Sequence, residues 1–467
     1  MSLPINRLPP EIISYIARCA LEDDAIDARL IVPLTHVCRY WRNSITSTPE
    51  NWALISSEWK GLAALSLERA KAAPLTIELK VDALTNDPKL VGFVDLLLLH
   101  IQNTTSLSVG ALNSIEELAQ ALPNFPKSMP NLRSLTLRGG RKLDESRIDP
   151  LDFSAAHTLK DLSLQNVPLY PSLLNLTTLT ELYLGDYYFK LHLDVLLDFL
   201  EQNHSLEVVI LWIRFVQPSL RDSQRQTPIE NRLRHLSITC DENADGRALI
   251  SNIALQRGAA LGVHYGHSGV TLTPMLSGIS IAHLRNLSSP TFMEYRTHQR
   301  TIRLVGQDGS FVFNGYCGFG VLFEEFSLFP LDNIREFRLE HRAPSVPEEL
   351  HLSSFPSLEV LAVDGDFCNS PTLLPDPTSA SSLKTLAFLD CFVTEDYIAE
   401  LAQSTSNRKN TTSSSLRRVV VINTSKTKLP SVASIARLRE HVPVVEVMVG
   451  RELPKDLSWR GSDSPAG

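Results

Sequence analysis

The residues most suggestive of catalysis in this sequence lie in two glycine-containing stretches. Gly266-His-Ser268-Gly269 places a serine between glycines, as in the turn that presents the nucleophile of some hydrolases. The last glycine of that motif and a helical pattern after it are both missing, so a hydrolase that uses Ser268 is the last function that we consider. Gly315 to Gly320 is rich in glycine, but its residue order fits neither a dinucleotide-binding loop nor a phosphate-binding loop.

Metal and redox chemistry lack the residue clusters that they need. His264 and His267 have no cluster of cysteines or carboxylates nearby, and Asp364-Gly-Asp366 follows a strand pattern where turns favour such residues. The sequence therefore predicts no catalytic residues, no metal site and no cofactor, and we expect a binding protein, not an enzyme. The six cysteines are at least 19 residues apart and form no C-x-x-C pair: Cys19, Cys38, Cys240, Cys317, Cys368 and Cys391.

Composition and charge narrow the choice of partner. The 467 residues carry a net charge of −8 without a long basic run, which argues against nucleic acid. The most apolar stretch, Leu90 to Ile101, contains Asp95 and His100 and is shorter than the roughly 20 residues that a membrane-spanning helix needs. Residues 1–7 lack the apolar core of a signal peptide. We expect a soluble protein of the cytoplasm or nucleus, with no membrane partner.

A short apolar motif recurs along the chain, and the structure that it forms must position any binding site of the protein. In Leu159-Lys-Asp-Leu162-Ser-Leu164 the spacing is apolar, two variable residues, apolar, one variable residue, apolar. Successive copies within each of two runs start 20 to 33 residues apart, close to the period of leucine-rich repeats. Weaker copies occur at Ile77 to Leu79 and at Leu107 to Val109. Clear copies start at Leu132, Leu159, Leu179, Leu206, Leu233, Ile334, Leu358, Leu383, Leu416 and Val442.

The motif predicts short strands stacked in parallel. Alternate residues of a strand face opposite sides, so Leu135 and Leu137 should be buried while Thr136 faces outward. One strand cannot bury its apolar side alone, whereas many stacked strands form a continuous interior. Helical patterns between strands, as at Asp194 to Glu201, complete an α/β solenoid with a parallel sheet. Gln307-Asp308-Gly309 joins two alternating runs and predicts a β-hairpin inserted near 301–313.

A different pattern precedes the repeats. Leu8-Pro9-Pro10-Glu11 starts a helix at prolines, and an apolar stripe and an acidic spacer follow. Val37-Cys38-Arg-Tyr-Trp41 and Pro49-Glu-Asn-Trp52 end the segment. This order resembles the F-box, and in particular the F-box-like proteins of mushroom-forming fungi, in which degenerate leucine-rich repeats often follow. The resemblance implies a three-helix F-box-like domain over residues 1–60, followed by the repeats over 61–452 and a tail over 453–467.

The resemblance also implies partners. An F-box binds the Skp adaptor and, through it, a cullin scaffold, while the repeats hold an unknown protein target for ubiquitination. The alternative is a leucine-rich-repeat interaction scaffold with a diverged F-box and no ligase role. Carried over position by position, the adaptor-binding residues would be Leu8, Pro9, Ile12, Ile16, Leu34, Val37, Cys38 and Trp41. The same residues could instead form the core of the three-helix segment.

The outward side of the predicted strands is where a target would bind. Most outward positions are polar, but Val208, Ile210 and Trp212 point outward together on one strand. Exposed Trp and Tyr are typical of binding hot spots. The alternative is that another segment, such as the tail with Trp459, covers this strand. The predicted target-binding residues are Tyr183, Val208, Ile210, Trp212 and His235.

Overall fold

The protein is described here from a computed structural model. It covers residues 8–21, 31–80, 95–112, 127, 129–139, 156–167, 176–185, 191–213, 216–217, 228–230, 232–240, 243–265, 276, 284–296, 301–314, 329–341, 352–365, 381–391, 393–409, 416–423 and 429–449. The chain forms two compact units, Met1–Leu233 and Arg234–Gly467. In the covered ranges, no helix is long and apolar enough to cross a bilayer.

Three short helices begin the first unit: α1 (Pro10–Leu21), α2 (Ile31–Thr35) and α3 (Arg39–Ser47). α1 starts at Pro10, where the missing N–H would have had no helical partner. α3 starts after Cys38, whose Sγ accepts a hydrogen bond from the Trp41 backbone N–H at 3.5 Å. Helices α1 and α2 both pack against α3 and bury Ile13, Ile31 and Ile45.

A buried tryptophan, Trp52, contacts both α3 and the helix that follows it in the chain. Trp52 lies in a 3-10 turn (Pro49–Trp52) and donates its indole N–H to the Ile45 carbonyl oxygen at 3.0 Å. Arg69 of helix α4 (Lys60–Ala70) lies over the Trp52 ring, 4.3 Å from its centroid. The 3-10 turn that holds Trp52 therefore contacts both α3 and α4.

The first unit contains a parallel sheet of seven strands within the residues described, in the order β1-β2-β3-β4-β5-β6-β8. Leu135, Leu162 and Leu182 are register partners and all are at most 2% exposed, which confirms the predicted interior. Helix α5 (Leu193–Gln202) buries Leu196, Phe199 and Leu200. The strands are β1 (Leu54–Ser56), β2 (Leu75–Lys80), β3 (Thr104–Leu112), β4 (Ser134–Gly139), β5 (Asp161–Gln165), β6 (Glu181–Gly185), β7 (Leu191–His192), β8 (Val208–Ile213), β9 (Val216–Gln217) and β10 (Ile229–Glu230).

The second unit contains its own mostly parallel sheet, in the order β11-β13-β16-β15-β14-β17-β18-β19-β20-β21. Helices α6 (Asn243–Ser251), α7 (Glu395–Lys409) and α8 (Val432–His441) accompany it. The strands are β11 (His235–Cys240), β12 (Ile253–Ala254), β13 (Ala259–Tyr265), β14 (Pro290–Arg296), β15 (Thr301–Gly306), β16 (Gly309–Asn314), β17 (Glu336–His341), β18 (Val360–Gly365), β19 (Thr385–Leu389), β20 (Arg418–Asn423) and β21 (Val444–Val449).

The hairpin of β15 and β16 is built into the second sheet. The two strands are antiparallel, with Gly306 opposite Gly309 across the turn. β16 then pairs in parallel with β13, and β15 pairs antiparallel with β14. Gly309 has φ 134°, and a Cβ there would lie 2.2 Å from the Ala259 carbonyl oxygen, so only glycine fits this turn.

The boundary between the two units falls inside the predicted repeat region. The domain limits predicted at residues 60 and 452 stay predictions, and the tail with Trp459 lies outside the described residues. Two strands, β13 and β14, lie where the leucine motif predicted none. Both belong to the second sheet and bury Leu261, Val263, Met293 and Tyr295.

Candidate functional sites

Several apolar side chains of the N-terminal helices are exposed. Ile12, Tyr15 and Ile16 lie at i, i+3 and i+4 on α1, and are 44%, 58% and 37% exposed. Val32 of α2 and Val37, just before α3, are 38% and 53% exposed. Residues at these helical spacings share one face, and Ile13 and Ala17 occupy the buried side of the same helix. We call these five exposed residues the N-terminal apolar surface.

The predicted adaptor-binding residues divide into exposed and covered positions. Pro9, Ile12, Ile16 and Val37 are exposed, whereas Leu8, Leu34 and Cys38 are half-buried. Trp41 is 5% exposed and belongs to the small core, the second of the two roles expected for it. Its indole N–H is buried without a hydrogen-bond partner among the residues described.

Two residues of this surface, Tyr15 and Val32, were not predicted. Tyr15 lies three residues after Ile12, so the helical spacing alone would have included it. Leu8 is fixed in place because Tyr40 donates its hydroxyl hydrogen to the Leu8 carbonyl oxygen at 2.7 Å. The start of the chain's first helix is therefore held against α3.

A second surface lies on the outward side of the first sheet, at β6 and β8. Tyr183 and Ile210 are register partners, while Val209 and Leu211 between the outward residues are buried. Trp212 is 38% exposed, so the chain does not cover it fully. We call Tyr183, Val208, Ile210 and Trp212 together the aromatic surface.

The fifth predicted target-binding residue, His235, belongs to the second unit. It is half-buried at the start of β11. Burial lowers the pKa of His235 below its usual value. Burial also lowers the pKa of His264 on β13, and the nearby His235 lowers it further. The side-chain amide of Asn314 lies 2.7 Å from His264 Nδ1.

On the outward side of the second sheet, part of the surface is apolar and buried. At strands β18 to β20, the outward residues Ala362, Ala387 and Val420 are 0% exposed and belong to an apolar cluster. The sequence analysis expected most outward positions to be polar, and these three are not. Alanine at matching outward positions of successive strands was the available signal, because a solvated face favours polar residues.

Charged residues on the second sheet form ion pairs, both within a strand and between neighbouring strands. Glu294, only 3% exposed, lies 3.0 Å from Arg296 and 3.5 Å from Arg338. Arg338 also donates to Asp364 at 2.7 Å. Arg418, on β20, pairs with Glu446 at 2.9 Å. Removing one partner of such a buried pair leaves the other charge uncompensated, which destabilises the fold.

Two carboxyl groups on the outward side of the first sheet are perturbed. Desolvation raises the pKa of Asp161, although a hydrogen bond from Thr180 and the charge of Lys160 oppose the rise. Desolvation also raises the pKa of Glu78, opposed by Arg138 and Lys80 and assisted by Glu58. These carboxylates are therefore partly withdrawn from water.

Within the described ranges, no group of three or more histidine, cysteine or acidic side chains could hold a metal ion. Ser268 and the stretch from Gly315 to Gly320 lie outside those ranges. Among the residues described, the two surfaces above are the candidate sites considered further.

Comparisons with other proteins address the fold alone. No protein family matches the sequence, and no curated protein is detectably similar to it. One similar solved structure is a leucine-rich-repeat protein of Leptospira interrogans, 12% identical, matched over 83% of this chain and 91% of that chain with a TM-score of 0.27. The description of this chain as mixed α/β with a mostly parallel sheet in each unit rests on the strand registers given above.

Proposed function

We propose that this chain is the target-binding subunit of a cullin-type ubiquitin ligase. Its N-terminal helices bind the Skp adaptor, and its repeat strands bind the protein to be ubiquitinated. The chain has no active site of its own in this proposal, because the partner subunits supply the catalysis. The resemblance of residues 8 to 55 to the F-box motivates the ligase assignment.

The observation that carries the proposal is the concentration of exposed apolar side chains near the N-terminus. Ten large hydrophobic residues are exposed within the described ranges, and the N-terminal apolar surface accounts for five of them. The others are Leu99, Trp212, Val432, Val444 and Val449. Clustered exposed apolar residues mark interaction sites, whereas single ones need no explanation.

The size of the helical segment gives the clustering a physical reason. Three helices of 12, 5 and 9 residues can enclose only a small core. Ile13, Ile45 and Trp41 fill that core from one side, so the other side of α1 stays uncovered. A partner that covers Ile12, Ile16 and Val37 would remove their apolar surface from water, which favours binding.

Co-purification with the adaptor tests this proposal. The tagged full-length chain is co-expressed with a Skp adaptor, and the adaptor retained after purification is measured. Ile12→Asp and Val37→Asp should remove most of the retained adaptor, because each places a charge in an apolar interface. Val432→Asp is the matched control, since Val432 is 85% exposed but lies on α8 in the second unit.

Failure of the wild-type chain to retain adaptor would reject the ligase role. Equal loss in all three variants would show that the N-terminal apolar surface is not the contact. Circular dichroism confirms that each variant is folded before it is compared.

The alternative is an interaction scaffold without a ligase partner. The burial of Trp41 favours it, since one of the eight positions expected to face the adaptor is covered. Retention of a target without retention of the adaptor would support this second function. In either case we propose that the protein acts in the cytoplasm or nucleus, where cysteines such as the exposed Cys19 stay reduced.

A further inference from the structure

The end of the second sheet exposes side chains whose equivalents one strand earlier are buried. β21 is the last strand of that sheet and pairs in parallel with β20. Val421 of β20 is buried, whereas its register partner Val447 on β21 is only half-buried. Asn423 is fully buried, whereas its register partner Val449 is 50% exposed. The interior that continues through β20 therefore opens at β21.

Helix α8 leaves this end open. Within the described residues of the helix, Leu438 is buried, whereas Val432 is 85% exposed and Ile435 is half-buried. The helix contacts β21, and only residues 442–443 join the two, so they run in opposite directions. The first turn of α8 therefore lies toward the same end as Val449. We call Val432, Ile435, Val447 and Val449 together the open end.

An open end is unfavourable in a fold made of stacked repeats. Each repeat covers the apolar side of the one before it, so the last repeat needs a cap whose outer side is polar. The motif that starts at Val442 is the last of the repeats, and Val449 is the last residue that the structure describes. The open end therefore requires a covering segment.

The chain itself contains a suitable segment. Residues 450–467 follow Val449 directly and, like β21, belong to the second unit. The ten residues from Gly450 to Trp459 can extend over about 33 Å, more than the roughly 20 Å length of a six-residue strand. The segment is thus long enough to turn back along β21. Its large apolar residues are Leu453, Leu457 and Trp459, and its charged residues, which sum to zero, are Arg451, Glu452, Lys455, Asp456, Arg460 and Asp463.

We propose that residues 450–467 cap the second sheet, with Leu453, Leu457 and Trp459 packed against the open end. The charged residues between them face water and form the polar outer side of the cap. Attachment at Val449 favours this segment over a second copy of the chain, because a tethered segment loses less translational and rotational freedom on binding. This inference goes beyond the proposed function and does not depend on the ligase role.

Amide hydrogen exchange of full-length variants tests the cap. One variant removes the apolar side chains of the segment by the changes Leu453→Ser, Leu457→Ser and Trp459→Ser. We expect exchange in residues 444–449 to become at least about fivefold faster, because a covered strand opens less often than an uncovered one. Exchange in β2 of the first unit should stay unchanged, which shows that the variant is folded. The matched control changes polar residues of the same segment: Ser458→Ala, Ser462→Ala and Ser464→Ala.

Fluorescence of Trp459 tests the contact from the other side. Its emission is obtained as the difference between the wild type and Trp459→Phe. We expect this emission to lie at shorter wavelength than that of a tryptophan in water, because the cap buries the indole ring. The double change Val447→Asp with Val449→Asp should move it to longer wavelength, because charges at the open end would oppose apolar packing.

Three results would overturn the proposal. Exchange in residues 444–449 that is the same in the apolar and control variants would show that the segment does not cover β21. Faster exchange confined to residues 208–213 would place Trp459 on β8 instead, as the sequence analysis considered. A wild-type dimer in sedimentation equilibrium that dissociates with Val449→Asp but persists in the apolar variant would assign the open end to a second copy.

Discussion

The packing of Tyr183 over Gly185 can be tested with a double-mutant cycle. Gly185→Ala adds a Cβ whose nearest neighbours would all be atoms of the Tyr183 ring, at 2.4 to 2.8 Å. Ordinary contact begins near 3.4 Å, so the ring would have to move by about 1 Å. Tyr183 is half-buried, so its side chain can rotate away rather than unfold the strand.

The expected energies follow from the two opposing effects. Alanine in a strand interior is favoured over glycine by about 0.5–1 kcal/mol, because glycine loses more backbone freedom on folding. Forcing the ring off its rotamer costs about 0.5–1.5 kcal/mol. In wild type, Gly185→Ala should therefore change the free energy of unfolding by less than about 1 kcal/mol. In the Tyr183→Ala background it should be stabilising by about 0.5–1 kcal/mol.

Urea unfolding of the wild type, both single variants and the double variant measures the coupling, which we expect to be about 1 kcal/mol. Gly61→Ala with Tyr183→Ala is the control cycle, since a Cβ at Gly61 has no neighbour within 4 Å. Changes at 185 and 183 that add to within about 0.3–0.5 kcal/mol would refute the packing described here.

Three further predictions concern stability. Asn166 has φ 52° and donates its side-chain N–H to the Gly139 carbonyl oxygen. Asn166→Ala should therefore lower the free energy of unfolding by about 1–2 kcal/mol more than Asn166→Gly. Equal losses in chemical denaturation would contradict this. Glu294→Gln leaves two arginines around a buried amide and should lower the free energy of unfolding by about 3–5 kcal/mol in the same assay. Glu359→Gln, at a partly exposed pair, should lower it by about 1 kcal/mol or less. Similar losses for the two variants would show that the Glu294 pairs are not formed. Burial lowers the pKa of His264 below the usual value near 6.5, so the unfolded chain binds the proton more readily and stability should fall as the pH falls from about 7.5 to about 5.5. His264→Gln should lose less stability than wild type over that range, and an unchanged pH dependence would argue against the shift.

Strands formed where the leucine motif predicted them. Leu162 and Leu182 lie in the interior as expected, because alternation of apolar residues decides which side of a strand is buried. β13 and β14 escaped prediction because Ala259-Ala-Leu-Gly262 and Pro290-Thr-Phe-Met293 lack the leucine spacing. Their burial depends on neighbours far along the chain, including the β15–β16 hairpin.

The N-terminal residues show a similar limit. Apolar residues at helical spacing predicted α1, but spacing alone could not separate the buried Trp41 from the exposed Val37. That difference arises because Trp41 lies in the first turn of α3 and faces the core, whereas Val37 precedes the helix. Likewise, the burial of Ala362 and Ala387 is not visible within either strand alone, and only the match of alanines between successive strands indicates it.

Amide hydrogen exchange can show whether the N-terminal apolar surface binds the Skp adaptor, as proposed. Exchange of the full-length chain is compared with and without a saturating amount of purified adaptor. Binding should slow exchange in residues 8–21 and 31–47, where Ile12, Ile16 and Val37 lie, and should leave exchange unchanged in α8, where Val432 is exposed. Unchanged exchange in both N-terminal ranges, or protection confined to other parts of the chain, would contradict it.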